Sequence, residues 1–168
     1  MRRVNWLIAG AACCASVAAW AADDSSALKQ AQDRAAIEAL MWRYVRALDT
    51  LDAAGYAAVF TEDGTFNGGN AQEHGRAELS KMIDGLKKTR TDREAKGEKN
   101  APMYHVIANH TIEFVGPNEA RYNSYWMTVF GAVGQEVPTR VAAAGRGIDT
   151  VVRVNGEWLI KSRDVAPK

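Results

Sequence analysis

The chain has 168 residues, 21 of them basic and 20 acidic, and 47% are hydrophobic. So even a balance excludes the broad positive field that nucleic-acid binding needs, and the length suits one domain around one substantial core. The only two cysteines, Cys13 and Cys14, stand side by side near the N-terminus, which leaves the rest of the chain without disulfide or thiol chemistry.

The first 21 residues read as a signal peptide. Arg2 and Arg3 are followed by an apolar run from Leu7 to Trp20 and by the small-residue site Ala19-Trp20-Ala21. The run is too short and too alanine-rich for a membrane span. Cleavage after Ala21 is expected, leaving a folded body of residues 22–168 and a periplasmic or secreted product that does not stay with the membrane. Removal of Arg2 and Arg3 would leave 19 basic against 20 acidic residues.

Next comes a helix, expected from about Ser26, with Ser25 or Ser26 as its cap, to Leu48. Ile37, Leu40, Met41, Tyr44, Val45 and Leu48 recur at i, i+3, i+4, i+7 and form one apolar stripe. Asp49 follows at the edge of that stripe, beside Trp42 and Val45, and Asp52 is expected to project toward it. A carboxylate at the border of an apolar face is costly unless something pairs with it. Asp49 therefore marks either a structural contact, to the next turn or to a strand backbone, or a working acid/base group.

Residues Ala53 to Phe60 suggest a second helix, Glu62-Asp63-Gly64 a turn, Thr65-Phe66 a brief strand, and Gly68-Gly69-Asn70 a break. A third helix is expected from Arg76 to Leu86. The polar stretch KKTRTDREAKGEKN is then a solvated helix end or a mobile loop, with a lid over a pocket as the sharper alternative.

From Met103 the hydrophobic period changes to two. Strands are expected at 104–115, 119–133, 137–154 and 157–165, the last pair joined by an Asn155-Gly156 hairpin turn. Helices followed by long antiparallel strands indicate an α+β domain with helices on one face of a sheet. Alternation puts His105, Ile107, Asn109, Thr111 and Glu113 on one face and His110 on the other unless a bulge intervenes. A metal site from the two histidines is therefore not expected. Nucleophile elbows, phosphate-binding glycine loops and dinucleotide fingerprints are not found in the sequence, so no cofactor is expected.

Three segments, RALDTLDAAGYAAVFTEDGTF, HVIANHTIEFVGPNEAR and RVNGEWLIKSRDV, resemble the SnoaL-like group of the nuclear transport factor 2-like superfamily, which includes relatives similar to scytalone dehydratase and to SnoaL-like polyketide cyclases. The resemblance covers essentially all of residues 22–168. It implies a cystatin-like, cone-shaped fold in which a strongly curved antiparallel sheet wraps the long helix and leaves a pocket. It also implies that Asp49 matches a pocket aspartate and His105 a pocket histidine. Leu48, Phe130, Gly145 and Gly147 depart from the dehydratase pattern, standing where it has a tyrosine, a second catalytic histidine, a serine and an asparagine. Homodimers through the outer sheet face are common in the family.

Residues and resemblance together give Asp49 and His105 as candidate catalytic groups in opposite acid/base roles. Tyr44, Tyr56, Asn109, Trp126, Phe130 and Arg146 are candidate substrate-binding groups. Trp126 and Phe130 share a strand face with Tyr122, Ser124 and Thr128, which is an aromatic wall suited to a small hydrophobic molecule or to a filled core. Arg146 either anchors a carboxylate or pairs across strands. The expected function is a cofactor-independent lyase or isomerase, or a binding or assembly module that keeps the pocket without the chemistry.

Overall fold

The computed structural model describes residues 11–134 and 137–167, with side chains from Ser25 onward. The residues divide into two compact units at Ala36/Ile37. The expected leader begins outside the described residues. From Ala11 the chain is already helical, and α1 (Ala11–Asp49) runs unbroken through Ser25 and Ser26. No cap is needed there, because the alanine-rich sequence on both sides of the serines sustains a helix. Among the described residues no helix is long and apolar enough to cross a membrane.

The second unit holds the sheet. Its elements are the end of α1, α2 (Ala53–Ala58), β1 (Phe60–Asn67), β2 (Gln72–His74), α3 (Gly75–Ala95), β3 (Met103–Gly116), β4 (Glu119–Phe130), β5 (Arg140–Val154) and β6 (Glu157–Asp164). The strands lie in the order β2-β1-β6-β5-β4-β3 and leave the curved sheet unclosed, with β2 and β3 as its edges. Every pairing is antiparallel except β1 with β6.

The α1 stripe is buried from Ile37 to Leu48, in one core with Phe60, Ile112, Tyr122, Val151, Trp158 and Ile160 from the strands and Leu79 and Ile83 from α3. Asn155 and Gly156 both adopt positive φ, 51° and 87°, which gives the tight turn that the right-handed strand twist favours.

One local expectation is corrected, and one open alternative is decided in favour of the solvated helix end. Residues Glu62-Asp63-Gly64 do not turn; they lie inside β1, where a bulge between Phe60 and Thr65 absorbs them. Thr61 donates to Asp63 and Lys161 of β6 pairs with the same carboxylate, so side chains hold this irregular stretch to its neighbour. The polar stretch after Leu86 continues α3 to Ala95, supported by i,i+4 ion pairs Lys88–Asp92 and Arg90–Glu94.

Candidate functional site

The end of α1 sets the geometry. Leu51 takes φ 54° and the Asp52 N–H reaches back to the Ala47 carbonyl at 2.9 Å. This left-handed closure satisfies the last carbonyls of the helix. Asp52 then caps α2, accepting from the Gly55 N–H at 3.0 Å, and so does not project toward the stripe as expected. Asp49 is left on the final turn, facing edge strand β3.

There Asp49 Oδ1 accepts two bonds from one residue, the His105 backbone N–H at 2.9 Å and the His105 ring nitrogen Nδ1 at 2.7 Å. The bond to a strand backbone is thus present, and the same carboxylate also pairs with an imidazole. Both side chains stay partly accessible, 13% for Asp49 and 17% for His105. A carboxylate on Nδ1 fixes the tautomer with the proton on that nitrogen and leaves the Nε2 lone pair free. Trp42, expected beside Asp49, is 66% exposed, so its indole is open to solvent.

His105 lines two cavities. The inner one, about 350 Å³, is walled by Tyr44, Leu48, Phe66, Trp126, Thr128 and Arg163, among others. The other, about 380 Å³, has Trp42, Val45, His110 and Tyr122 in its wall. Trp126 is held by its indole N–H, which donates to the carbonyls of Arg146 at 3.0 Å and Val165 at 3.1 Å. Its ring lies over Gly145, where a Cβ would come within 2.8 Å of the indole. Asp49 also borders an open depression of about 580 Å³ with Arg46, Lys87 and Arg90, so the basic end of α3 stands beside the aspartate without covering the inner cavity.

Behind Tyr44 lies a second charged pair. Arg163 bonds to Asp149 in full burial, with side-chain exposures of 2% and 0%. The Arg163 guanidinium sits 4.3 Å from the Tyr44 ring centroid. Burial pushes the Asp149 carboxyl up to about 6, against the opposing pull of Arg163. Burial acts to lower the pKa of Arg163, and the Asp149 charge together with the nearby tyrosines outweighs it, so the guanidinium is held charged.

Of the candidate binding residues, the inner cavity gathers Tyr44 and Trp126. Tyr56 is excluded: its ring is fully buried between Tyr44 and Phe60, with centroids 5.2 and 5.3 Å away. Phe130 is the last residue of β4 and lies under the Arg140 guanidinium instead. Arg146 stands opposite Tyr125 in the ladder, and with Asn109 it lines a separate depression of about 340 Å³. Asn109 is displaced by a bulge: β3 slips register between Ala108 and Thr111, with Asn109 at φ 48°. The same bulge turns His110 to the His105 side, where it stacks on Tyr122, centroids 5.2 Å apart and planes 14° from parallel.

Strand parity places Thr128 on the cavity face, and it lines the inner cavity, whereas sequence reasoning did not single out Phe66 or Arg163 as cavity residues. For the buried pair a signal existed, since period two places Asp149 on the face of fully buried Val151. Among the described residues no group of three or more histidines, cysteines or acids is arranged to hold a metal.

The family model of the SnoaL-like domain matches residues 29–164. The chain belongs to this family. Among solved structures, this SnoaL-like domain is similar to a Novosphingobium aromaticivorans protein described as "Putative Scytalone Dehydratase", at 28% identity over 81% of this chain and 84% of that one, with a TM-score of 0.64. A nuclear transport factor 2-like protein with a cystatin-like fold, also from Novosphingobium aromaticivorans, aligns at 23% identity over 83% of this chain and 84% of that one, TM-score 0.68. The Mycobacterium tuberculosis protein Rv3472, of unknown function, aligns at 22% identity over 83% of this chain and 73% of that one, TM-score 0.69. The last two likenesses show the fold alone. Curated proteins give no match to the sequence.

Proposed function

We propose that this SnoaL-like domain takes up a small hydrophobic molecule in the inner cavity and carries out cofactor-independent acid/base chemistry of the dehydratase or isomerase type. The observation that carries the reading is His105, held by Asp49, on the wall of a cavity that Tyr44, Leu48, Phe66, Trp126, Thr128 and Arg163 also line. Asp49 and His105 act as one unit and not as separate acid and base. Asp49 orients the ring and stabilises the imidazolium, while His105 Nε2 moves the proton. In an elimination, Nε2 takes a proton from carbon, the electron pair forms the new double bond, and the departing hydroxide takes that proton and leaves as water. In an isomerisation the same proton returns at a different carbon. The likeness to the Novosphingobium protein described as "Putative Scytalone Dehydratase" supports this class.

A second reading, a binding or assembly module without turnover, draws support from Trp126 over Gly145. An indole covers the strand where the dehydratase pattern carries a serine, so that part of the wall offers no hydroxyl. The two readings part on one experiment. A panel of small hydroxylated and keto ring compounds is screened by thermal shift, and hits are assayed for loss of water or double-bond migration with the parent chain and Asp49→Asn. Turnover that vanishes in the variant while binding persists supports catalysis. Binding without turnover in either protein supports the module.

Export and self-association belong to the same proposal. Arg2-Arg3, the apolar run and the Ala19-Trp20-Ala21 site support a cleaved leader, which intact mass of the mature protein tests. Tyr104, Val106, Tyr125, Met127 and Ile148 are exposed large hydrophobics on adjacent strands β3, β4 and β5, which supports a homodimer through that face, testable by sedimentation.

A further inference from the structure

The cavity beyond His105 has a construction of its own. Strict alternation along β3 would send His110 to the face opposite His105. The bulge at Asn109 prevents this, holding a non-glycine residue at φ 48°, a region L-residues enter at a cost. The outcome is a flat imidazole laid on Tyr122 and tethered through Nε2 to Glu38 at 3.2 Å. Across the same cavity stands Trp42. Its neighbours Met41 and Val45 are buried at 3% and 6% exposure, yet its indole is 66% exposed and makes no hydrogen bond or ring contact among the described residues. Large aromatic surfaces left open beside a cavity are the usual material of ligand sites. Only His105 and Ile107 are shared between this cavity and the inner one, so the two lie on either side of them. At about 350 and 380 Å³, each is near the lower end of the range of roughly 300–1,000 Å³ typical of ligand pockets.

The geometry points to the Trp42–His110 cavity as a second subsite of the same ligand site, one that stacks a flat aromatic group while a ring occupies the inner cavity past His105. The ligand class is then an elongated molecule, a ring joined to a planar aromatic extension, and not a compact single ring. The inner half of this statement rests on the proposed function; the outer half rests on Trp42, His110 and Tyr122 alone.

Phenol and 4-phenylphenol serve as probes, with dissociation constants from calorimetry and the indole N–H resonances followed by NMR. The wild-type chain is expected to bind 4-phenylphenol at least about tenfold more tightly than phenol, the size of effect one aromatic stacking contact provides. Only the longer probe should move the Trp42 resonance. Trp42→Ala, at an exposed position that leaves the core intact, should abolish the tenfold advantage without changing phenol, and Trp42→Phe should retain most of it. An advantage that survives both Trp42→Ala and His110→Ala overturns the inference, as does failure of 4-phenylphenol to bind. Thr128→Phe, which narrows the inner cavity, separates the two claims. If it weakens both probes while Trp42→Ala weakens neither, the subsite falls and the inner cavity stands. If it weakens neither while Trp42→Ala abolishes 4-phenylphenol binding, the subsite stands and the inner cavity reading falls.

Discussion

Two carboxylates on the inner side of this domain meet basic partners, and burial divides their work. Asp149 is sealed in the core, and its partner Arg163, almost as buried, reaches the wall of the inner cavity only as a fixed charge. Asp49 and His105 sit in a similar contact at the rim, where both keep some access to solvent. Pairing alone therefore does not mark a working site. Access for the partner does: an imidazole beside open space can exchange a proton, whereas a buried guanidinium stays charged and positions what surrounds it.

The largest difference between the two pairs is expected from loss of the Asp49 charge. Asp49→Asn removes the negative charge that stabilises the imidazolium and offers an N–H donor that can reverse the His105 tautomer, so turnover of any substrate found should fall by up to roughly ten-thousandfold. Stability should drop by only about 1–1.5 kcal/mol, the worth of the contact in a partly solvated setting. Steady-state kinetics beside urea unfolding checks both; an intact rate with a large stability loss would make Asp49 a structural residue like Asp149.

The buried pair should behave in the opposite way. Arg163→Met strands the Asp149 carboxylate and should cost about 3–5 kcal/mol at pH 7, while adding Asp149→Leu should recover most of it. Urea midpoints of the single and double variants measure this. In the parent chain the sign with pH is also unusual for a carboxylate. Asp149 is held up at about 6, above the ordinary aspartate value of 3.8, so between those values the folded state binds the proton and the unfolded state does not. Its contribution to stability is therefore fully present below pH 4, falls as pH rises through 6 by at most about 1.4 kcal/mol per unit, and is flat above. Subtracting the profile of Asp149→Asn isolates it.

Most of the architecture was legible because burial in this domain follows local periodicity. The α1 stripe from Ile37 to Leu48, the β5–β6 turn at Asn155-Gly156 and the last four strands each leave a short-range signal. The bulges did not, since a single residue of slip in β1 or β3 costs little in pattern but reverses every following side chain. That is why Glu62-Asp63-Gly64 looked like a turn, and why Asn109 was assigned to the cavity that His110 approaches instead. The Asp49–His105 contact joins residues 56 positions apart, so only the resemblance could bring them to one pocket. Phe130 and Arg146 went astray for a related reason: strand parity names a face, but not how far along the strand the cavity extends.

Two smaller effects sharpen the account of the walls. Gly145→Ala puts a Cβ against the Trp126 indole and should cost about 1–3 kcal/mol, with a shift of the Trp126 resonance reporting the displaced ring. Asn109→Ala keeps the bulge but loses a side chain that tolerates the left-handed region, and thermal unfolding should register a loss of about 1 kcal/mol.

If Asp49 presents His105 to the cavity with its Nε2 lone pair free, ring-nitrogen NMR of the parent chain will show it. Proton–nitrogen correlation spectra near pH 7.5 should show His105 protonated at Nδ1, with the Nε2 resonance moving when a hydroxylated or keto ring compound from the screen is added. A proton on Nε2 in the free protein, or an Nε2 resonance unmoved by every compound that binds, would contradict it.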